Sequence, residues 1–185
     1  QIFGHYWYDK PIFYYWELIL GFKLFGISNF GARFFSSLLA LCNIFLIYRF
    51  VKSQTSHIIA ILSAIIVSIS AEYWIIAKAV ITDMTLGLCF NATLMGFYMG
   101  YTRHKEHAPH YKIYYLSAYI ASAIAVLTKG PIGFLLPGLI ILVYLIIRKD
   151  LRELLSLQLI PGLFILLTLG GSWYYYMYAT HGNDF

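Results

Sequence analysis

The stretch "GARFFSSLLALCNIFLIYRF", residues 31–50, carries Arg33 and Arg49 near its ends and no charge between them. Its length meets the roughly 20 residues needed to cross a hydrocarbon core of about 30 Å. A segment in lipid has no water to satisfy its amides, so this one is expected to be a helix. Five further stretches read the same way: residues 57–76, 82–101, 112–129, 131–148 and 157–178. The third is the least apolar, with Asn91 and Thr93 in its middle.

The bulk composition agrees with these runs. Hydrophobic residues make up 61% of the 185 and charged residues 11%, against about a quarter charged in a soluble domain. Mean hydropathy is +0.72. These values exclude water-soluble and disordered classes. The net charge of +5 reports orientation rather than a nucleic-acid partner, because Lys and Arg in a membrane protein mark the cytoplasmic loops. Cys42 and Cys89 lie inside apolar runs with neither disulfide nor metal-site spacing.

The expected fold is therefore all-α, a polytopic membrane helix bundle. Residues 1–185 form one transmembrane domain, with about six spans over residues 31–178 and an outer loop over residues 1–30. The chain begins at Gln1 rather than Met and reads as a fragment of a longer protein. In the outer loop, "PIFYYWELILGFKLF" (11–25) mixes Tyr and Trp with Glu17 and Lys23. It reads as a helix lying in the membrane interface, opened by Pro11, with a short, poor span as the alternative.

Six spans place the loops on alternating sides. Arg49, Lys52, Arg103, Lys105, Lys112, Arg148, Lys149 and Arg152, eight of the thirteen basic residues, share one side, which is taken as cytoplasmic. Asp9, Glu17, Glu72, Asp83 and Asp184 fall on the other. Glu106, Asp150 and Glu153 sit among basic residues in what read as ordinary cytoplasmic loops, and "RHKEHAPH" (103–110) reads as solvated loop rather than metal site.

Three stretches meet on the outer side: "YDKP" (8–11), "AKAVITDMT" (77–85) and "LTKGPIG" (127–133). Asp9 and Asp83 are candidates to hold a divalent cation or to act as general acid and base. Lys10, Lys78 and Lys129 are candidates to neutralise a phosphate. Acids and lysines at the lipid boundary suggest a phosphorylated lipid. Each has a plainer reading: Lys78 and Lys129 as snorkelling anchors, Asp83 as a helix N-cap or first-turn acid, and Glu72 as an interfacial acid.

In order and spacing over residues 4–140, the sequence resembles the polyprenyl-phosphate-sugar transferases related to protein O-mannosyltransferases and to the lipid A aminoarabinose transferase, glycosyltransferases of the C type (GT-C). The resemblance rests on "YDKPIFYYW", "KLFGISNFGARFFSSLLA", "ITDMTL" and "LTKGPIG" followed by "PG". The tail "GGSWYYYMYATHGNDF" matches the family's "PWY" segment with Ser172 in place of proline. The resemblance implies a membrane enzyme of the bacterial inner membrane, active at the periplasmic face. It would move a sugar from a polyprenyl-phosphate carrier to a lipid or protein acceptor. It also implies Asp9 as the metal-binding acid, Lys10 on the carrier phosphate, Asp83 as the catalytic acid of the later loop and Lys129 at the outer mouth, with a divalent metal ion as cofactor. The family's acidic motif that supplies the presumed base belongs upstream of Gln1, so the 185 residues alone are expected to be inactive. Rival readings are a membrane transporter and a non-catalytic membrane scaffold.

Overall fold

A computed structural model describes residues 10–182. The described chain is helical with no strand, as the apolar runs require. The helices are α1 (Phe13–Phe25), α2 (Asn29–Gln54), α3 (His57–Ile69), α4 (Ala71–Lys78), α5 (Asp83–Lys105), α6 (Tyr111–Lys129), α7 (Ile132–Ile147), α8 (Leu159–Ile165) and α9 (Ser172–His181). A 3₁₀ turn, Leu151–Ser156, precedes α8, and a π turn, Leu166–Gly170, joins α8 to α9.

Helix lies over each of the six apolar stretches, but not as six uninterrupted spans. By length and apolarity α2 alone qualifies to cross a membrane among the described residues, or three segments if each bent pair is one span. One such pair is α3 with α4, bent by 64°; the other runs from Leu159 to His181 and bends by 45° before α9. The first break falls at Ser70, whose backbone turns extended. Beyond it Tyr73 donates its hydroxyl to the Ala40 carbonyl (2.8 Å), and the Ala77 carbonyl accepts from Ser37 (3.0 Å), which tie α4 to α2. Helices α5 and α6, of 23 and 19 residues, are long enough to cross but less apolar, and their polar groups turn inward. Asn91 donates to Asn43 at 2.8 Å, and Thr93 donates to the carbonyl of Cys89 at 2.8 Å, with Ala118 O a further 3.3 Å acceptor. A polar side chain satisfied inside the bundle lowers the apolarity of a helix without exposing that group to lipid.

Outward faces stay apolar. Ile58, Ile66, Ile69, Leu135, Ile147 and Phe164 are each well exposed, which suits lipid and would be costly in water. Helices α5 and α6 pack antiparallel along their length, and α7 lies against both. The main core, Phe97, Tyr101, Tyr115, Leu145 and Leu157, fills the space where α5, α6, α7 and the 3₁₀ turn converge.

Helix α1 is fastened to α2 at its C-terminal half. A Cβ at Gly21 would run into the Gly31 carbonyl, so only glycine allows this approach of the two helices. Ser28 then caps α2 by accepting from the Gly31 amide at 3.1 Å.

Candidate functional site at one end of the bundle

Asp83 is the first residue of α5. The partial positive charge of a helix N-terminus favours a carboxylate there. Lys129 is the last residue of α6, where the opposite end of a dipole favours a cation. Gly130 follows with φ 92, a conformation that other residues reach only with strain, and turns the chain into Pro131 and α7. The antiparallel packing of α5 and α6 brings the two termini together: Lys129 Nζ lies 2.5 Å from Asp83 Oδ1. Both side chains stay partly exposed, 36% for Lys129 and 40% for Asp83, so the pair is accessible from outside the bundle.

Helix α1, which follows the segment bearing Lys10, is attached to the same end. Lys10 is half-buried and Pro11 is buried just before α1 begins. From α1, Glu17 reaches Thr85 in the first turn of α5, whose hydroxyl lies 2.9 Å from Oε1 and 3.0 Å from Oε2. Glu17 is 8% exposed. Burial pushes its carboxyl from the ordinary 4.5 up to about 7, against the opposing effect of the Thr85 hydrogen bond. Asp83, Thr85, Lys129 and Glu17 thus belong to one end of the molecule, built from α1, α5 and α6, and Lys10 stands three residues before α1. Asp9 and the aromatics Tyr6, Trp7 and Tyr8 lie outside the described residues.

Glu17 was counted in sequence among the outer-side acids and as an interruption of an apolar run, but was given no part in the site. A carboxylate in the middle of such a run was the available signal, since ionisable groups near lipid carry a function or a partner. Its partner, 68 positions away, leaves no local trace. Lys78, grouped above with the phosphate-neutralising lysines, instead sits 3.3 Å over the ring of Trp74 on its own helix, a cation–π contact that suits an interfacial anchor. Glu72 sits exposed in the first turn of α4.

The far end of α5 corrects a second expectation. Glu153 is not in an ordinary loop: it is 2% exposed and is the hub of a network. Tyr115 donates its hydroxyl to Glu153 Oε1 at 2.7 Å, His104 Nδ1 lies 2.7 Å from the same oxygen, and Lys105 Nζ lies 3.1 Å from Oε2. Lys105 also pairs with Asp150 at 2.6 Å, and Tyr101 donates to Asp150 at 3.1 Å. The Lys105 hydrogen bond is the main cause that holds the Asp150 carboxyl below its ordinary value. His104 therefore belongs to a clasp between α5, α6 and the 3₁₀ turn, not to a solvated loop. Next to this clasp an apolar cavity of about 180 Å³ opens between α5, α6 and α7, lined by Phe97, Tyr119, Phe134 and Leu142 among others.

No group of three or more His, Cys, Asp or Glu able to hold a metal ion occurs among the described residues. Among the described residues at the Asp83 end, the carboxylates of Asp83 and Glu17 are already engaged, by Lys129 and by Thr85. The described residues do not by themselves make up a metal site.

The backbone places the chain in a known class of architecture. It superposes with a TM-score of 0.86 on ArnT from Cupriavidus metallidurans bound to undecaprenyl phosphate, and 0.85 on the apo state, over 95% of this chain and 32% of that one at 24% identity. This is the helical membrane fold of the GT-C type. In sequence, the profile of the dolichyl-phosphate-mannose-protein mannosyltransferases matches residues 9–175. The chain belongs to that family. A protein of Aquifex aeolicus (strain VF5) is 35% identical over 178 residues, 96% of this chain and 34% of its own length. An undecaprenyl phosphate-alpha-4-amino-4-deoxy-L-arabinose arabinosyl transferase of Wigglesworthia glossinidia brevipalpis is 31% identical over 145 residues, 77% of this chain and 25% of its own length. The chain thus spans about a third of the first of these relatives and a quarter of the second.

Proposed function

We propose that this chain is the part of a membrane glycosyltransferase that meets a polyprenyl-phosphate-linked sugar, at the periplasmic face of a bacterial inner membrane. The observation that carries the reading is the pairing of Asp83 with Lys129 at one end of the bundle, with α1 tied to the same end through Glu17 and Thr85, in a member of this family. The similar protein from Cupriavidus, described as bound to undecaprenyl phosphate, supports the choice of carrier.

In this reading the bond between the anomeric carbon and the phosphate oxygen breaks, and its electron pair leaves with the polyprenyl phosphate. Lys10 meets that phosphate and stabilises the charge that grows on it. Asp83 faces the acceptor hydroxyl whose oxygen forms the new bond to the anomeric carbon. The hydroxyl proton passes to a carboxylate base, for which Asp83 is the candidate within this chain. Lys129 holds Asp83 in place through their ion pair and adds positive charge at the mouth of the site. Asp9 is assigned to a divalent cation on the family pattern alone. The acceptor is a lipid or a protein. A transporter would be expected to place its charged groups near the bilayer midplane, whereas these sit at helix termini.

The test is transfer of labelled sugar from the polyprenyl carrier by membranes containing the full-length protein. Lys10→Ala and Asp9→Ala are expected to abolish transfer. Wild-type transfer by either variant, at equal abundance in the membrane, would overturn the assignment.

A further inference from the structure

Three residues of α1, Tyr14, Glu17 and Gly21, are buried. Spaced three and four apart, they form one stripe along the helix. Two of them have evident packing roles. Gly21 admits the Gly31 carbonyl, and Tyr14 contributes an aromatic ring to the interior. Glu17, between them, has no such reason to be a carboxylate. A leucine or methionine would fill the space without the cost of taking a carboxylate from water. What an apolar residue would not supply is direction.

Glu17 supplies it through Thr85. The hydroxyl lies within hydrogen-bond distance of both carboxylate oxygens, and no other hydrogen-bond partner of Glu17 occurs among the described residues. The two helices it joins carry different parts of the proposed site. Helix α1 begins three residues after Lys10, and Thr85 lies two residues after Asp83 in the opening turn of α5. The glycine contact to α2 fixes the far half of α1. Beside the packing of α1 on α6, the buried Glu17–Thr85 hydrogen bond ties the helix that follows Lys10 to the helix terminus that carries Asp83.

We propose that Glu17 is a positioning residue for the donor: through Thr85 it holds the Lys10 segment in register with Asp83 and Lys129. It does not touch the reacting atoms. The proposal rests on the polyprenyl-phosphate reading above, and the experiment separates the two.

The full-length protein is purified, and binding of undecaprenyl phosphate is measured alongside the donor KM and kcat. Loss of this buried hydrogen bond, which leaves the Thr85 hydroxyl unpaired, is expected to weaken carrier binding and raise the donor KM by about tenfold in Glu17→Ala. Glu17→Gln keeps an acceptor for the Thr85 hydroxyl and is expected to stay within about threefold of wild type, because the acceptor matters and not the charge. Thr85→Val removes the donor while keeping the side-chain shape, so it tests the same contact even if Glu17→Ala fails to fold. It is expected to match Glu17→Ala, and the double variant to be no worse than either single one. At saturating donor, kcat is expected to change little, a split that mere loss of folded protein would not produce. If wild type binds the carrier and Lys10→Ala does not, yet Glu17→Ala and Thr85→Val bind normally, the positioning role is wrong while the site stands. Glu17→Gln failing as badly as Glu17→Ala would also overturn it. If wild type binds no undecaprenyl phosphate, the underlying reading falls and the role falls with it.

Discussion

Removing Lys129 separates a clasp from a working site, because the structure sets different sizes for the two effects. The pair with Asp83 is short, at 2.5 Å, but both side chains are more than a third exposed. Water and salt screen such a pair, so its net contribution to stability is about 0–1 kcal/mol despite the close approach. Lys129→Ala is therefore expected to lower the thermal midpoint of the detergent-solubilised full-length protein only slightly. If the ammonium also orients Asp83 and adds charge at the site, its loss should reduce sugar transfer by about 10²–10³, the usual effect of deleting one preorganised electrostatic group. The exchange variant Asp83→Lys with Lys129→Asp sharpens the contrast. It keeps an ion pair between the two helix ends with the charges reversed, so it is expected to fold and to transfer nothing. Transfer is assayed from a labelled polyprenyl carrier at matched membrane abundance. Lys129→Ala with transfer within about threefold of wild type, well below the range for a lost electrostatic group, would refute the reasoning. So would an exchange variant that retains activity.

At the far end, Glu153→Ala leaves a buried tyrosine hydroxyl, a histidine and a lysine without their shared acceptor. It is expected to destabilise the protein by about 3 kcal/mol or more, with His104→Ala milder because that side chain is 29% exposed; a Glu153→Ala protein that melts like wild type would contradict the network. Glu17 gives a pH signature. Its carboxyl rises on folding from 4.5 to about 7, so the folded state holds the proton more tightly than the unfolded one. The stability this provides is full below pH 4.5 and is lost as pH climbs towards 7, a change of about 3 kcal/mol. Melting across that window is expected to show wild type losing stability relative to Glu17→Gln, and parallel curves would count against the buried carboxyl.

Much of the fold was legible because its signals are local. Long apolar runs locate helices whatever their partners, and alternation of loops was enough to bring "ITDMT" and "LTKGP" to the same end, where Lys129 and Asp83 do pair. The breaks were less legible. Ser68, Ser70 and Glu72 in "SISAEYWII" (68–76) do not by themselves announce a 64° bend at Ser70, because the bend is held by Tyr73 and Ser37 reaching carbonyls on other helices. Glu153 misled for the same reason. In sequence it sits between Arg152 and two leucines as a loop acid would, while the groups that bury it come from positions 104, 105 and 115. Glu17 and Thr85 are joined only once the chain has folded. Apolar periodicity reports which side of a helix faces inward, but the pairing of buried polar groups depends on tertiary contacts.

The arrangement of the two ends is open to direct measurement by labelling with a membrane-impermeant thiol reagent. Single cysteines replace Ile12, Ile81 or Glu106 in the full-length protein, with Cys42 and Cys89 changed to alanine. Positions 12 and 81 are expected to react from the periplasmic side of intact cells, and position 106 only after the membrane is opened. Labelling of 12 and 81 from opposite sides, or of both from the cytoplasm, would contradict the site at its foundation.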